Sequence, residues 1–358
     1  MAIIEKEIAK PAGKGLGLRV PNKSELLAGV IDFVTPKKTL DTLLSLSHYE
    51  EAEGYAAGVR HYLSKGYWPV GVFVHFVHFD GVIEMKAANR LIEISRELDD
   101  PSKHLQGCYG LHQGTMESGD QGEELQILSV KLTGPAIDLG FVPLPYITEE
   151  HVKRYNLDPE KVEELNQEST DKMNEAPKKR MALLTFPAGN MRSARRNKTG
   201  ELNGMVQSDL TWISQMIMYS RSGVPVVFLP GVIKDSFRIS DPNTRTLTLE
   251  AGLSALRNFL VRSVPGLADS PLEAKLASLT MLPPYPIDKL AMDLAQITGS
   301  NVNTQNLRSI ARAMFANKEL ADQLIMGIIN DELLDYSKGN YYRGYRSFGL
   351  GNHAAALY

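Results

Sequence analysis

Three short apolar runs constrain this chain more than anything else in it. Trp68 to Val77, Met181 to Phe186 and Gly223 to Val232 are rich in Val, Leu and Phe and read as buried strands. Segments of helical spacing lie between and around them. In residues 80–98, Val82, Ile83, Ala87, Leu91, Ile94 and Leu98 recur at that spacing, and Asp99-Asp100-Pro101 stops the run. Helices are likewise expected from Asn22 or Ser24 to Phe33, from near Thr39, and over 50–64, 149–176 and 210–222. Gln126 to Leu132 and Phe141 to Ile147 are further strand candidates; Pro143 and Pro145 make the second an irregular or edge strand. From Leu249 onward the pattern is helical, over 249–261, 272–282, 286–298 and 303–334. Strands alternating with helices predict an α/β fold with a mostly parallel central sheet flanked by helices. The expected organisation is an N-terminal arm and helices (1–65), an α/β core (66–265) and a helical C-terminal region ending in a flexible tail (266–358).

Composition narrows the class. An apolar fraction of 43% and a charged fraction of 23% describe a globular protein. A net charge of −3 gives no reason to expect nucleic acid, so any anion site must be a local basic cluster. The one cysteine, Cys108, excludes an intrachain disulfide framework and a thiolate zinc site. The start of the chain lacks the apolar core of a signal peptide, and no window reaches ~18 uninterrupted apolar residues. A cytoplasmic protein is expected, with peripheral contact to a membrane left open.

Two blocks carry the chemistry. In the first, His75 stands at the end of the Trp68 strand and Asp80 five residues on, where the helical pattern begins. A strand-end histidine points to the crevice where parallel sheets bind ligands. A carboxylate on one ring nitrogen fixes the tautomer and stabilises the imidazolium as the other nitrogen takes a proton. The alternative is a helix-capping Asp80 beside a satisfied core histidine. His78 competes for the base role, and His75, His78 and Asp80 can also be read as metal ligands. No further His/Asp cluster nearby completes such a site, and no metal is expected. In the second block a strand runs into Phe186-Pro187-Ala188-Gly189, with Arg192, Ser193, Arg195, Arg196 and Lys198 close behind. Exposed backbone N–H groups beside guanidinium forks suit a phosphate; a basic surface loop is the plainer reading. Cys108 with His112 four residues on has the form of a nucleophile pair, but its Gly-rich surroundings favour a plain loop. The motifs of serine hydrolases, nucleotide hydrolases and dinucleotide oxidoreductases are absent.

Taken in order, the two blocks resemble the glycerolipid acyltransferases, the family of glycerol-3-phosphate and lysophosphatidic acid acyltransferases. His75 and Asp80 match its His-x4-Asp. Phe186, Pro187, Gly189, Arg192 and Ser193 match its Phe-Pro-Glu-Gly-Thr-Arg-Ser if one residue is inserted after Gly189, and Val224 to Val227 is similar to its later Val-Pro-Val strand. The match covers roughly residues 66–235. Val74 stands where the family has asparagine, Ala188 where it has glutamate, and Pro145 to Thr148 lack its acceptor-gripping arginine. The resemblance implies acyl transfer from acyl-CoA or acyl carrier protein to a hydroxyl of a lipid precursor or other small acceptor, phosphorylated or not. His75 would be the base and Asp80 its orienter. Phe186, Pro187, Gly189, Arg192, Ser193 and Arg195 would shape the acceptor site. No cofactor and no acyl-enzyme is implied. Two rivals stand beside it: a non-catalytic lipid- or carrier-binding protein of the same fold, and a thioester or ester hydrolase.

Overall fold

The computed structural model describes residues 36–75, 83–112, 136–145, 147, 149, 152–153, 157–187, 210–235, 238–239, 248–263, 272–329 and 331–332. Among them one sheet organises the chain. Its strands are β1 (Ser47–Glu51), β2 (Trp68–His75), β3 (Gly107–His112), β4 (Phe141–Pro145), β5 (Met181–Thr185), β6 (Val226–Lys234), β7 (Ala277–Met281) and the short β8 (Tyr285–Pro286). The order across the sheet is β1-β7-β6-β2-β5-β3-β4, with β8 on β6 beyond the end of β7. From β6 to β4 every pairing is parallel; β7 and β8 run antiparallel to β6, and β1 runs parallel to β7. The expected mostly parallel α/β sheet is what forms.

The three apolar runs take the middle of this sheet because only strands covered on both faces have no polar side to show. Every residue of β5 is buried, as is every residue of β6 except Lys234. Pro230 is tolerated in β6 because it falls between the pairing of β7 and that of β8. There the neighbouring chain leaves the ladder and Leu282 N–H takes the Pro230 carbonyl at 2.8 Å. Phe141–Pro145 occupies the edge, as its prolines require.

Helices cover both faces. On one lie α1 (Pro36–Ser45), α2 (Tyr55–Ser64), α3 (Glu84–Arg96) and α6 (Leu249–Ser263), packed on Phe73, Leu184, Leu229 and Ile233. On the other lie α4 (Pro159–Glu175), α5 (Thr211–Arg221), α7 (Ile287–Thr298), α8 (Leu307–Ala316) and helical residues 318–329, packed on Val70, Val72, Leu183 and Phe228. Each fully buried Leu, Ile or Phe contributes about 1.5–3 kcal/mol of transfer free energy. Trp68 is buried with its indole N–H donating to the Met181 carbonyl at 2.7 Å, so the large ring carries no unpaired polar atom.

Several expectations give way. Residues 272–282, expected to be helical, instead hold β7, which is hydrogen-bonded between β6 and β1. Residues 47–51, expected to be helical toward the end, form β1, and α2 begins at Tyr55 rather than Glu50. Strands from both the expected N-terminal and C-terminal segments thus join the one sheet. Gly107–His112 is a central strand and not a loop. Its glycines serve packing: a Cβ on Gly110 would meet the Phe141 ring 2.2 Å away. The charged helix expected over 149–176 is interrupted at 157–158: residues 149, 152 and 153 are helical, and α4 starts at Pro159, where the Asp158 side chain accepts from Glu160 N–H. The helix expected over 303–334 breaks at Asn317. Residues 1–35, the Gln126–Leu132 strand candidate and the tail from 336 lie outside the described residues.

Candidate functional site

Parallel strands bring their carboxyl ends to one edge, and the described part of each chemical block, His75 and Phe186-Pro187, stands at the end of such a strand. His75 is the last residue of β2 and pairs with Ile233 of β6. On its other side β2 pairs with β5 in the register Val72 to Thr185. That pairing is the last of the ladder, and Phe186 and Pro187 follow directly as the chain leaves β5. Thr185 and Pro187 are buried, and Phe186 is half-buried. Beyond β5, β3 ends at His112 and β4 at Pro145, so a second histidine closes a strand at the same edge.

The glycines of the central strands set the height of this edge. A Cβ on Gly71 would come within 2.5 Å of the Phe73 ring, and one on Gly231 within 2.6 Å. The Phe73 ring therefore fills the room that two missing side chains leave on adjacent strands. From there it meets the Phe186 ring, with centroids 6.0 Å apart and planes tilted by 40°. The aromatic of the second block is thus seated on the strand that carries the histidine of the first.

Asp80, His78, Gly189, Arg192, Ser193 and Arg195 lie outside the described residues, as do Ala188, Arg196 and Lys198. The described helix α3 begins at Glu84, after Ile83, rather than at Asp80. Among the described residues no three His, Cys, Asp or Glu side chains converge as metal ligands. Cys108 is fully buried, its Sγ 3.7 Å from the Ala88 carbonyl, and burial pushes its thiol far above the ordinary range. A thiol held neutral inside the core is no nucleophile.

Three features of this edge had no signal in the residue pattern. Glu84, the first residue of α3, is fully buried, and a carboxylate there is favoured by the helix N-terminus. Asn166 of α4 clamps the chain just past β4: its amide donates to the Ile147 carbonyl and its carbonyl accepts from Ile147 N–H, both at 2.8 Å. The third is a cluster of cations. Lys86, in the first turn of α3, donates to the Ser47 carbonyl, and Lys275 donates to the Ser45 carbonyl at 2.9 Å. Arg262 and Lys275 both pair with Glu273. Burial, then the nearby Lys275 and Arg262, push the Lys86 ammonium down to about 8, with Glu273 opposing. Three cations share one carboxylate, and the pairing of Ser47 with Ala277 and of Ser278 with Lys234 puts them at the edge where β2 and β5 end. Lys234, closing β6, forms an ion pair with Glu332. The signal for the cluster was spatial: Lys86 of α3 meets Arg262 of α6 and Lys275 of the loop before β7, far along the chain.

Together the sheet and its helices define an α/β protein whose parallel strands end at one edge, the usual ligand position in this class. No protein-family model matches the chain, and no curated protein matches it. No described helix is long and apolar enough to cross a membrane.

Proposed function

We propose that the protein is an acyltransferase, moving an acyl group from an acyl-CoA or acyl carrier protein thioester to a hydroxyl acceptor. The observation that carries this reading is the meeting of β2 and β5 at one edge: the strand ending in His75 lies beside the strand leading into Phe186-Pro187. Of two blocks about 110 residues apart in sequence, read together only through their resemblance to one family, His75 of the first and Phe186-Pro187 of the second end or follow adjacent strands.

In this mechanism His75 accepts the acceptor hydroxyl proton as the oxygen attacks the thioester carbonyl, and Asp80 orients the ring. Collapse of the tetrahedral intermediate expels the thiolate, which takes the proton from the imidazolium. Phe186, Pro187 and Gly189 shape the acceptor site, and Arg192, Ser193 and Arg195 bind an anionic group on it. Lys86, Lys275 and Arg262 give the same edge the positive field that a phosphorylated acceptor requires, where the family's own arginine is missing. Placement is peripheral to a membrane or cytoplasmic, with a lipid precursor as acceptor and helical segments at both ends of the chain.

Ala188 and the missing arginine favour a second reading, a lipid- or carrier-binding protein without turnover. Transfer from labelled long-chain acyl-CoA, and separately from acyl carrier protein, to a mixed pool of hydroxyl acceptors distinguishes the two. Product lost in His75→Ala but kept in His78→Ala is the expected result. Equal product from all three proteins removes both histidines as the base. Tight thioester binding without product from either donor supports the binding protein, and thioester loss without acceptor supports a hydrolase.

A further inference from the structure

Helix α6 is mounted with its apolar side outward. Leu249, Leu253, Leu256 and Leu260 are 44, 59, 49 and 56% exposed, while Ala251 and Asn258 are buried. At about 100° per residue the four leucines fall within an arc of about 60°, with Ala251 and Asn258 on the opposite side. The inner face is held by polar contacts. Asn258 donates to Ser45 Oγ and to the Ala274 carbonyl and accepts from Ala274 N–H at 2.7 Å. Thr248 Oγ1 accepts from Ala251 N–H at the start of the helix, and Arg238 pairs with Glu250. The orientation is thus fixed by specific bonds at both ends, and the leucine stripe faces water as a consequence.

We infer that this stripe is the interface of a two-fold homodimer in which α6 packs antiparallel against α6 of a second copy. The spacing of the leucines is 4-3-4, the alternation of a coiled-coil seam. It also reads the same in both chain directions. An antiparallel two-fold therefore sets Leu249 against Leu260 of the second copy and Leu253 against Leu256, with no leucine left over. Charge agrees. Glu250 and Arg257 flank the stripe on the same side, one heptad apart, so the antiparallel pair brings each Glu250 toward Arg257 of the second copy. Half of a leucine's surface is on the order of 90 Å². Four leucines and their flanks from each copy bring the total to about 1,000 Å², the lower end for a specific interface. A helix lying on lipid needs a broad apolar face and a polar face rich in Lys and Arg. Here an acidic residue, Glu250, borders the leucines on one side, and Phe259, 48% exposed, extends the apolar surface on the other.

The test is sedimentation equilibrium of the full chain from about 1 to 200 μM, a range suited to an interface of this size. Expected is a concentration-dependent dimer that Leu253→Asp and Leu256→Asp each abolish while the melting temperature stays within a degree or two of wild type. Mixing Leu253→Cys protein with Leu256→Cys protein and adding a short bismaleimide joins the two variants to each other in preference to like with like; buried Cys108 stays silent. A monomer throughout the range overturns the inference. So does a dimer that survives both aspartates, or a monomer that floats with anionic vesicles through the same leucines.

Discussion

Gly71→Ala tests whether the glycine shelf under Phe73 sets the height of the site. The added Cβ would lie 2.5 Å from Phe73 Cε2 and 2.6 Å from Leu184 Cδ2. Carbon atoms prefer about 3.5–4.0 Å, so the Phe73 ring and the Leu184 methyl must each give way by roughly 1 Å. Phe73 and Leu184 are each 1% exposed, and Phe73 already fills the space over Gly231, so neither has room to retreat. Overpacking of this kind costs about 1–3 kcal/mol, and the closed surroundings place it near the top of that range. At roughly 2 cal/mol/K of unfolding entropy per residue, ~2.5 kcal/mol lowers the melting temperature of a chain this long by about 3 °C. The decisive assay is a double-mutant cycle in urea. Phe73→Leu alone costs about 1–2 kcal/mol, below the Phe→Ala range, for the volume removed. In the double variant the new methyl fills part of that volume. The combined cost should therefore fall short of the sum by ~1 kcal/mol or more. Costs that add within about 0.3 kcal/mol would refute the shelf, since they would mean that Gly71 and Phe73 do not share the space.

Two further outcomes follow from the charges and the thiol. Lys86 titrates near 8 in the folded chain against an ordinary 10.5, so between those values the unfolded chain binds more protons and stability rises with pH. The gain, reduced for the partial exposure of the side chain, is on the order of 1–2 kcal/mol between pH 7.5 and 10. It is read as the difference in urea midpoints between wild type and Lys86→Met, and a difference that does not change with pH refutes it. Cys108 should resist a thiol reagent such as DTNB in the folded protein and react stoichiometrically in 6 M guanidinium. Rapid labelling without unfolding would contradict its burial.

The central strands were readable from the chain because a strand covered on both faces must be apolar throughout. Trp68–His75, Met181–Thr185 and Val226–Lys234 obey that rule whatever surrounds them. The edge position of Phe141–Pro145 was readable for a local reason, since proline lacks the N–H that a central strand must supply. His75 at a strand end and Phe186-Pro187 at another were equally local. That these ends adjoin was not: register and strand order are set by pairing between segments more than a hundred residues apart. Residues 277–281 lie in a stretch, 272–282, whose pattern predicts a helix, and still form a strand, because the pairing offered by β6 and β1 outweighs a weak local preference. Gly107–His112 misleads in the opposite direction, Gly110 making room for Phe141 and Gly107 for the Gly140 carbonyl and Met181 rather than marking a turn. The Lys86, Lys275 and Arg262 cluster and the outward leucines of α6 are decided by tertiary structure alone. Periodicity shows that a helix has an apolar side, but only the bonds of Asn258, Arg238 and Thr248 decide which side faces the protein. Local composition determines what a segment can become; the pairing of distant segments determines what it lies against.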